Sequence, residues 1–157
     1  MRVGMGYDIH AFGWGRKLII GGVHIPMPYG LEGHSDADVL LHAVADALLG
    51  SVGLGDIGKH FPNTSRKWKN ASSMKLLGHV VTLLRKKGYE VVNIDATIIL
   101  EHPKLIKYKS RMSANIARVA GIPISRASVK ATTNERLGAL GRAEGCAAMA
   151  VALVREI

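Results

Sequence analysis

The chain has 157 residues, a length that suits one domain with a sizeable core. Apolar residues make up 48% and charged residues 21%, an ordinary globular composition that excludes a disordered chain. A formal net charge of +9 admits nucleic acid, an anionic membrane surface or an acidic small substrate as partner, but aromatic residues at 5% are too few for a platform that stacks single strands.

Cys146 has no second cysteine to pair with, so no intrachain disulfide forms and a reducing cytoplasm is the expected setting. The start, Met1-Arg2-Val3-Gly4, lacks the long apolar core and small-residue cleavage site of a signal peptide. The longest apolar run, Cys146 to Val154, falls short of the roughly 20 residues that span a bilayer. A soluble protein is expected. Basic residues cluster at Arg66-Lys67-Trp68-Lys69 and at Arg85-Lys86-Lys87; the second group closes an expected helix, where cations complement the dipole.

From Arg2 to Ile9, Val3, Met5, Tyr7 and Ile9 alternate with Gly4, Gly6 and Asp8, which predicts a half-buried strand with Asp8 and His10 on one face. Lys17 to Gly22 reads as a second strand. Ser35 is the expected N-cap, with Asp38 at N3, of a helix to about Leu49 that buries Leu41, Val44, Ala45 and Leu48 and ends at Gly50. Gly53 to Pro62 reads as a loop. Ser72 or Ser73 opens a helix with Leu76, Leu77, Val80, Val81 and Leu84 inside and Gly88 as its stop. Val91 to Leu100 predicts a central strand, Lys109 to Ala120 a helix, and Ser128 to Thr133 a strand. Cys146 to Val154 fits helix by its alanines and strand by its short apolar run. The alternation of strands and helices predicts an α/β or α+β single domain.

Five groups of residues bear on chemistry. Asp8, His10 and His42 are candidate zinc ligands if the helix of His42 lies over the strand end; three ligands and an open position would make a catalytic site. Asp38, His42 and Asp46 fall at i, i+4 and i+8, so either carboxylate could accept the other ring N–H of His42. The alternative is a solvated helix face with Asp–His contacts. Gly33, His34 and Ser35, at the start of that helix, form an anion seat or a plain cap. Gly55-Asp56-Ile57-Gly58 lets a backbone approach a ligand, with Asp56 accepting from a sugar hydroxyl, or is a simple turn. Thr132, Thr133 and Glu135 can face phosphate oxygens and a hard cation, or lead into a turn. Lys104 is a point charge for phosphate or an ordinary exposed lysine.

Several motifs occur together in one order and spacing: Gly6-Tyr7-Asp8-Ile9-His10, Gly33-His34-Ser35-Asp36-Ala37-Asp38, His42-Ala43 to Asp46-Ala47-Leu48-Leu49-Gly50, Gly55-Asp56-Ile57-Gly58-Lys59 with Phe61-Pro62, and Lys130-Ala131-Thr132-Thr133 with Glu135 and Gly141-Arg142. From Arg2 almost to the C-terminus the chain resembles the 2-C-methyl-D-erythritol 2,4-cyclodiphosphate synthase family. The resemblance implies an α/β fold of α+β type, one catalytic domain over 1–157, a mixed β-sheet with helices packed on one face, and a homotrimer with active sites between subunits. It makes Cys146 to Val154 a strand. It implies zinc on Asp8, His10 and His42, one per chain, and Mg2+ or Mn2+ held through Glu135 and the substrate diphosphate. His34 and Thr133 would stabilise the transition state. Asp56 and Gly58, with Ser35, would handle the erythritol part, and Asp8, His10, His34, Ile57, Phe61, Pro62, Asn63, Thr64 and Ser65 are further substrate-binding residues. The segments Leu100 to Ile106, with Pro103, Leu105 and Ile106, and Ala131 to Thr133, with Thr132, would hold the cytidine nucleotide, Lys104 would meet its phosphates, and Asn134, Glu135, Ala139 and Arg142 would complete the substrate-binding set.

The implied reaction closes 4-diphosphocytidyl-2-C-methyl-D-erythritol 2-phosphate into a cyclic diphosphate with loss of cytidine monophosphate (CMP), a step of isoprenoid biosynthesis by the non-mevalonate route. No nucleic acid or membrane partner is implied. The chain departs from the family's usual residues at Asn63 (commonly Asp), Leu100 (often smaller) and Ala139 (frequently Phe). Two rival classes compete: a metal-dependent phosphohydrolase, in which water attacks, and a non-catalytic anion or nucleic-acid binder. The binder gives no reason for Asp8, His10 and His42 to converge.

Overall fold

The computed structural model describes residues 1–157. Strand β1 runs Arg2–Trp14, well past the expected end at Ile9, and its alternation is real, with the glycine side turned inward. Val3, Met5, Tyr7 and Ile9 are exposed on the outer side, whereas Gly4 and Gly6 lie against helix α1, Val39–Ser51. A Cβ on Gly6 would stand 2.0 Å from the carbonyl oxygen of Ala43, and one on Gly4 2.0 Å from that of Ala47. Only glycine permits this contact between helix and strand backbones.

Beyond β1 come the short strands β2, Leu18–Ile20, β3, Val23–Ile25, and β4, Tyr29–Leu31. Helix α2, Ile57–His60, lies within the expected loop, capped by Asp56, whose carboxylate accepts from the Lys59 N–H at 2.9 Å. Helices α3, Ser73–Lys86, and α4, Lys109–Ala120, fall where their periodicity places them, α3 burying the five apolar residues expected. Strands β5, Tyr89–Ile99, β6, Ala127–Thr132, and β7, Gly145–Glu156, with the short helix α5, Gly138–Gly141, complete the chain.

The main sheet has the order β4-β1-β7-β5-β6, and β2–β3 form a separate hairpin. It is mixed: β5 and β6 run parallel, and the other pairs antiparallel. The C-terminal segment is therefore the middle strand, and Ala148, Ala150 and Ala152 are its buried small residues. Helices α1, α3 and α4 cover one face. The result is a single α+β domain. Register pairs Met5 with Val151 and Tyr7 with Met149, so these exposed side chains lie together on the uncovered face. No helix is long and apolar enough to cross a membrane.

The start of α1 corrects the expected cap. Asp38, not Ser35, is the N-cap, its carboxylate accepting from the Leu41 N–H at 3.1 Å. Ala37 has a φ of 54°, which interrupts any helix begun at Ser35, and the Ser35 hydroxyl accepts from the Ala37 N–H instead. At the other end Gly50 lies inside the helix.

Candidate functional site

Asp8 and His10 project from the same side of β1, and α1 lays His42 over them. Asp8 Oδ2 lies 2.9 Å from His10 Nε2 and 3.0 Å from His42 Nδ1, and the two ring nitrogens are 3.3 Å apart. The opposite nitrogen of each ring is already engaged. His10 Nδ1 donates to the Glu32 carbonyl at 2.6 Å, and His42 Nε2 lies 3.0 Å from the Ser73 hydroxyl and 3.2 Å from that of Ser35. In the neutral rings, His10 Nε2 and His42 Nδ1 then present lone pairs beside a carboxylate oxygen. Three electron-pair donors facing one point can share a proton or a metal cation, and two imidazoles with a carboxylate are a donor set that suits a divalent metal.

Without a metal, protons on the rings take the cation's place. Burial pushes the Asp8 carboxyl up, but hydrogen bonds to His10 and His42, with the charges of those rings, outweigh it and hold the group at about 2. Burial acts to lower His10, yet the hydrogen bond and charge of Asp8 raise it above the ordinary imidazole value.

Neither carboxylate of the expected helical stripe hydrogen-bonds to His42. Asp38 is fully buried and accepts from the Gly21 and Gly22 N–H groups at 2.8 and 2.7 Å, tying the β2–β3 turn to α1. Its burial pushes it up to about 6 against the pull of those donors. Asp46 accepts from the Ile57 N–H at 2.7 Å and so holds α2 against α1; burial raises it as well.

A cavity of about 230 Å³ opens over the ligand cluster, lined by Asp8, His10 and His42 with His34, Ser35, Ile57, Gly58, Phe61 and Asn63. Arg16 shapes its rim by donating to the carbonyls of Gly33 and Ser35, both at 3.0 Å, while the His34 carbonyl accepts from the Asn70 N–H. Asp56 caps α2 next to the lining residues Ile57 and Gly58 and is not itself in the wall; Pro62, Thr64 and Ser65 lie in the adjoining loop. Gly33 lines the cavity beside His34 and Ser35, and sequence reasoning missed Trp68 and Leu76 as lining residues. Trp68 stood within a basic cluster and signalled charge, whereas its ring packs edge-on to Phe61 at 4.8 Å.

A second cavity, of about 210 Å³, lies where β5 and β6 end together. Leu100, Pro103, Lys104, Leu105, Ile106, Ala131, Thr132 and Thr133 line it with Glu101, all within the two segments named from the sequence, and Lys109 joins them. Glu101 accepts from the Asn134 N–H at 2.8 Å, steadying a turn in which Glu135 has a φ of 51°. Thr133 and Glu135 meet through side-chain oxygens at 3.4 Å. Asn134, Glu135, Ala139 and Arg142 line neither cavity, and Arg142 pairs with Glu144 at 2.5 Å. The two cavities share no lining residue.

Residues 1–155 match the model of the YgbB family. The chain belongs to that family. A curated YgbB relative from Chlorobaculum tepidum, named 2-C-methyl-D-erythritol 2,4-cyclodiphosphate synthase, is 60% identical over 156 residues, covering 99% of each chain. Among solved structures, the bifunctional IspDF of Campylobacter jejuni superposes with a TM-score of 0.95 at 44% identity, covering 99% of this chain and 42% of that longer one. A 2C-methyl-D-erythritol-2,4-cyclodiphosphate synthase in its CDP-bound form superposes with a TM-score of 0.90 at 33% identity, covering 98% of this chain and all of the other.

Proposed function

We propose that the chain is a 2-C-methyl-D-erythritol 2,4-cyclodiphosphate synthase. It converts 4-diphosphocytidyl-2-C-methyl-D-erythritol 2-phosphate to the cyclic diphosphate and CMP, in the non-mevalonate route to isoprenoid precursors, as a phosphorus–oxygen lyase. One observation carries the reading: Asp8, His10 and His42 converge in the same cavity as His34, Ser35 and Gly58. The family membership and the CDP-bound relative support a cytidine diphosphate substrate, and the +9 charge favours capture of a polyanion.

The nucleophile is the substrate's own 2-phosphate, already ionised, so no protein base is required. One of its oxygens bonds to the β-phosphorus as the bond from that phosphorus to the CMP oxygen breaks. CMP leaves with the electron pair. The residues fold the substrate so that these atoms lie in line. Ser35, Asp56 and Gly58 orient the erythritol, with Ile57, Phe61 and the 62–65 loop closing over it. Leu100 to Ile106 and Ala131 to Thr133 hold the cytidine, and Lys104 meets its phosphates. His34 and Thr133 donate to the phosphoryl oxygens as charge shifts. Zinc held by Asp8, His10 and His42, and Mg2+ or Mn2+ held through Glu135, supply positive charge to the diphosphate when bound.

The assembly is a homotrimer in this reading, in the cytoplasm. Support comes from the uncovered apolar sheet face and from two cavities without a common wall, which a substrate can bridge when a neighbouring chain completes the site. The test is metal and turnover together. Purified protein should hold about one zinc per chain and release CMP from the substrate, and His42→Ala should lose both while staying folded. Full zinc retention by that variant would contradict the assignment of His42.

A further inference from the structure

Ser73 lies 37 residues from Asp36 in sequence, yet the two meet directly beneath His42. The Ser73 N–H donates to Asp36 Oδ2 at 3.0 Å, and its hydroxyl makes a short hydrogen bond to Asp36 Oδ1. Asp36 Oδ1 also accepts from the Asp38 N–H. Both carboxylate oxygens are thus occupied as acceptors, so the Ser73 hydroxyl proton points to Asp36. The lone pairs of that hydroxyl are left for the ring of His42, whose Nε2 is 3.0 Å away. Ser73 is 1% exposed, which keeps water from substituting for either contact.

We propose that Ser73 and Asp36 are positioning residues for the metal ligand His42: the chain Asp36–Ser73–His42 places the proton on Nε2, fixes the ring plane and aims the Nδ1 lone pair at the metal. This rests on the metal site proposed above. His10 is oriented in the same way by a backbone carbonyl, the Glu32 oxygen, which no substitution removes. His42 instead depends on side chains: Ser73 on α3, backed by Asp36 from the loop before α1, with the Ser35 hydroxyl of the same loop 3.2 Å from Nε2. The seat of α3 is thereby coupled to the metal, although α3 contributes no ligand. Outer partners of this kind fix the tautomer of a ligating imidazole and raise its basicity.

The experiment is a zinc competition titration against a chromophoric chelator on the intact protein, with metal-free unfolding as the control for structure. Ser73→Ala removes the hydroxyl but keeps the backbone N–H that Asp36 accepts, so the fold should survive. Zinc affinity should fall about 10- to 100-fold, and Asp36→Asn should lower it in the same direction. The double variant should lose little more than Ser73→Ala alone, because both act through one chain. In the zinc form of wild type the Nε2 proton of His42 should exchange slowly with solvent, and Ser73→Ala should make it exchange fast. Unchanged affinity and slow exchange in Ser73→Ala would overturn the proposal. Failure of wild type to bind zinc would instead strike the metal-site reading beneath it. Should Ser73→Ala unfold, Asp36→Asn alone decides: no change in its zinc affinity overturns the proposal.

Discussion

The carbonyl oxygen of Ala43 stands 2.0 Å from the point where a side chain on Gly6 would begin. Because α1 lies this close to β1, His42, one residue before Ala43, reaches over the strand to Asp8 and His10. Gly6→Ala should therefore destabilise the protein by about 3 kcal/mol or more and disturb the ligand cluster. Gly50→Ala is the control, since a Cβ there meets nothing within 4 Å and the position is helical. It should stabilise by about 0.5–1 kcal/mol. Denaturant titration of both variants measures the contrast, and equal effects would contradict the close contact.

Acid should expose the coupling within the cluster. Asp8 is held at about 2 in the folded chain, below its ordinary 3.8. With the folded value depressed, its contribution is present in full above about 3.8 and is lost as the pH falls through about 2. At 1.36 kcal/mol per unit this is worth about 2 kcal/mol. Metal-free Asp8→Asn should be less stable than metal-free wild type by about that amount near neutrality. The gap should narrow steadily below pH 3.8. A gap that stays constant over this range would show that Asp8 is not paired with the imidazoles.

The outer sheet face offers a test of assembly. Met5 is 61% exposed in the single chain and pairs in register with Val151, itself 45% exposed. A charge there costs an isolated chain little but would be buried unpaired between copies. Met5→Glu should leave the circular dichroism spectrum unchanged while sedimentation equilibrium shifts from three chains to one. Wild type sedimenting as one chain would contradict the trimer.

Much of the fold was legible because periodicity reports which residues are buried. The inner face of α3 follows directly from it, while the end of α4 is marked by Gly121, which takes the left-handed conformation there. What periodicity cannot report is which neighbour covers a face. In β1 the alternation separates two sides without saying which is covered: the glycines lie against the helix and the apolar residues stand on the outer face. The middle strand β7 resisted reading because its alanines serve a tight helix contact and also favour helix. At the site, Asp8, His10 and His42 were legible as a donor set by residue type. Their partner Ser73 was not, because a serine at a helix start reads as a cap, and its pairing with Asp36 exists only after α3 docks. Asp38 misled for the converse reason: its place on the helical stripe suggested a partner for His42, but the buried turn at Gly21 and Gly22 claims its oxygens.

The most direct test of the central claim is the product. Cyclisation and hydrolysis both release CMP, so nucleotide release alone does not separate them. A tethered 2-phosphate held in line has a large effective concentration and leaves no place for water on that side. Phosphorus NMR of the reaction in oxygen-18 water should show two coupled resonances of a cyclic diphosphate with no label incorporated. Separate phosphomonoester signals, or oxygen-18 in the erythritol product, would show that water is the nucleophile and would contradict the synthase reading.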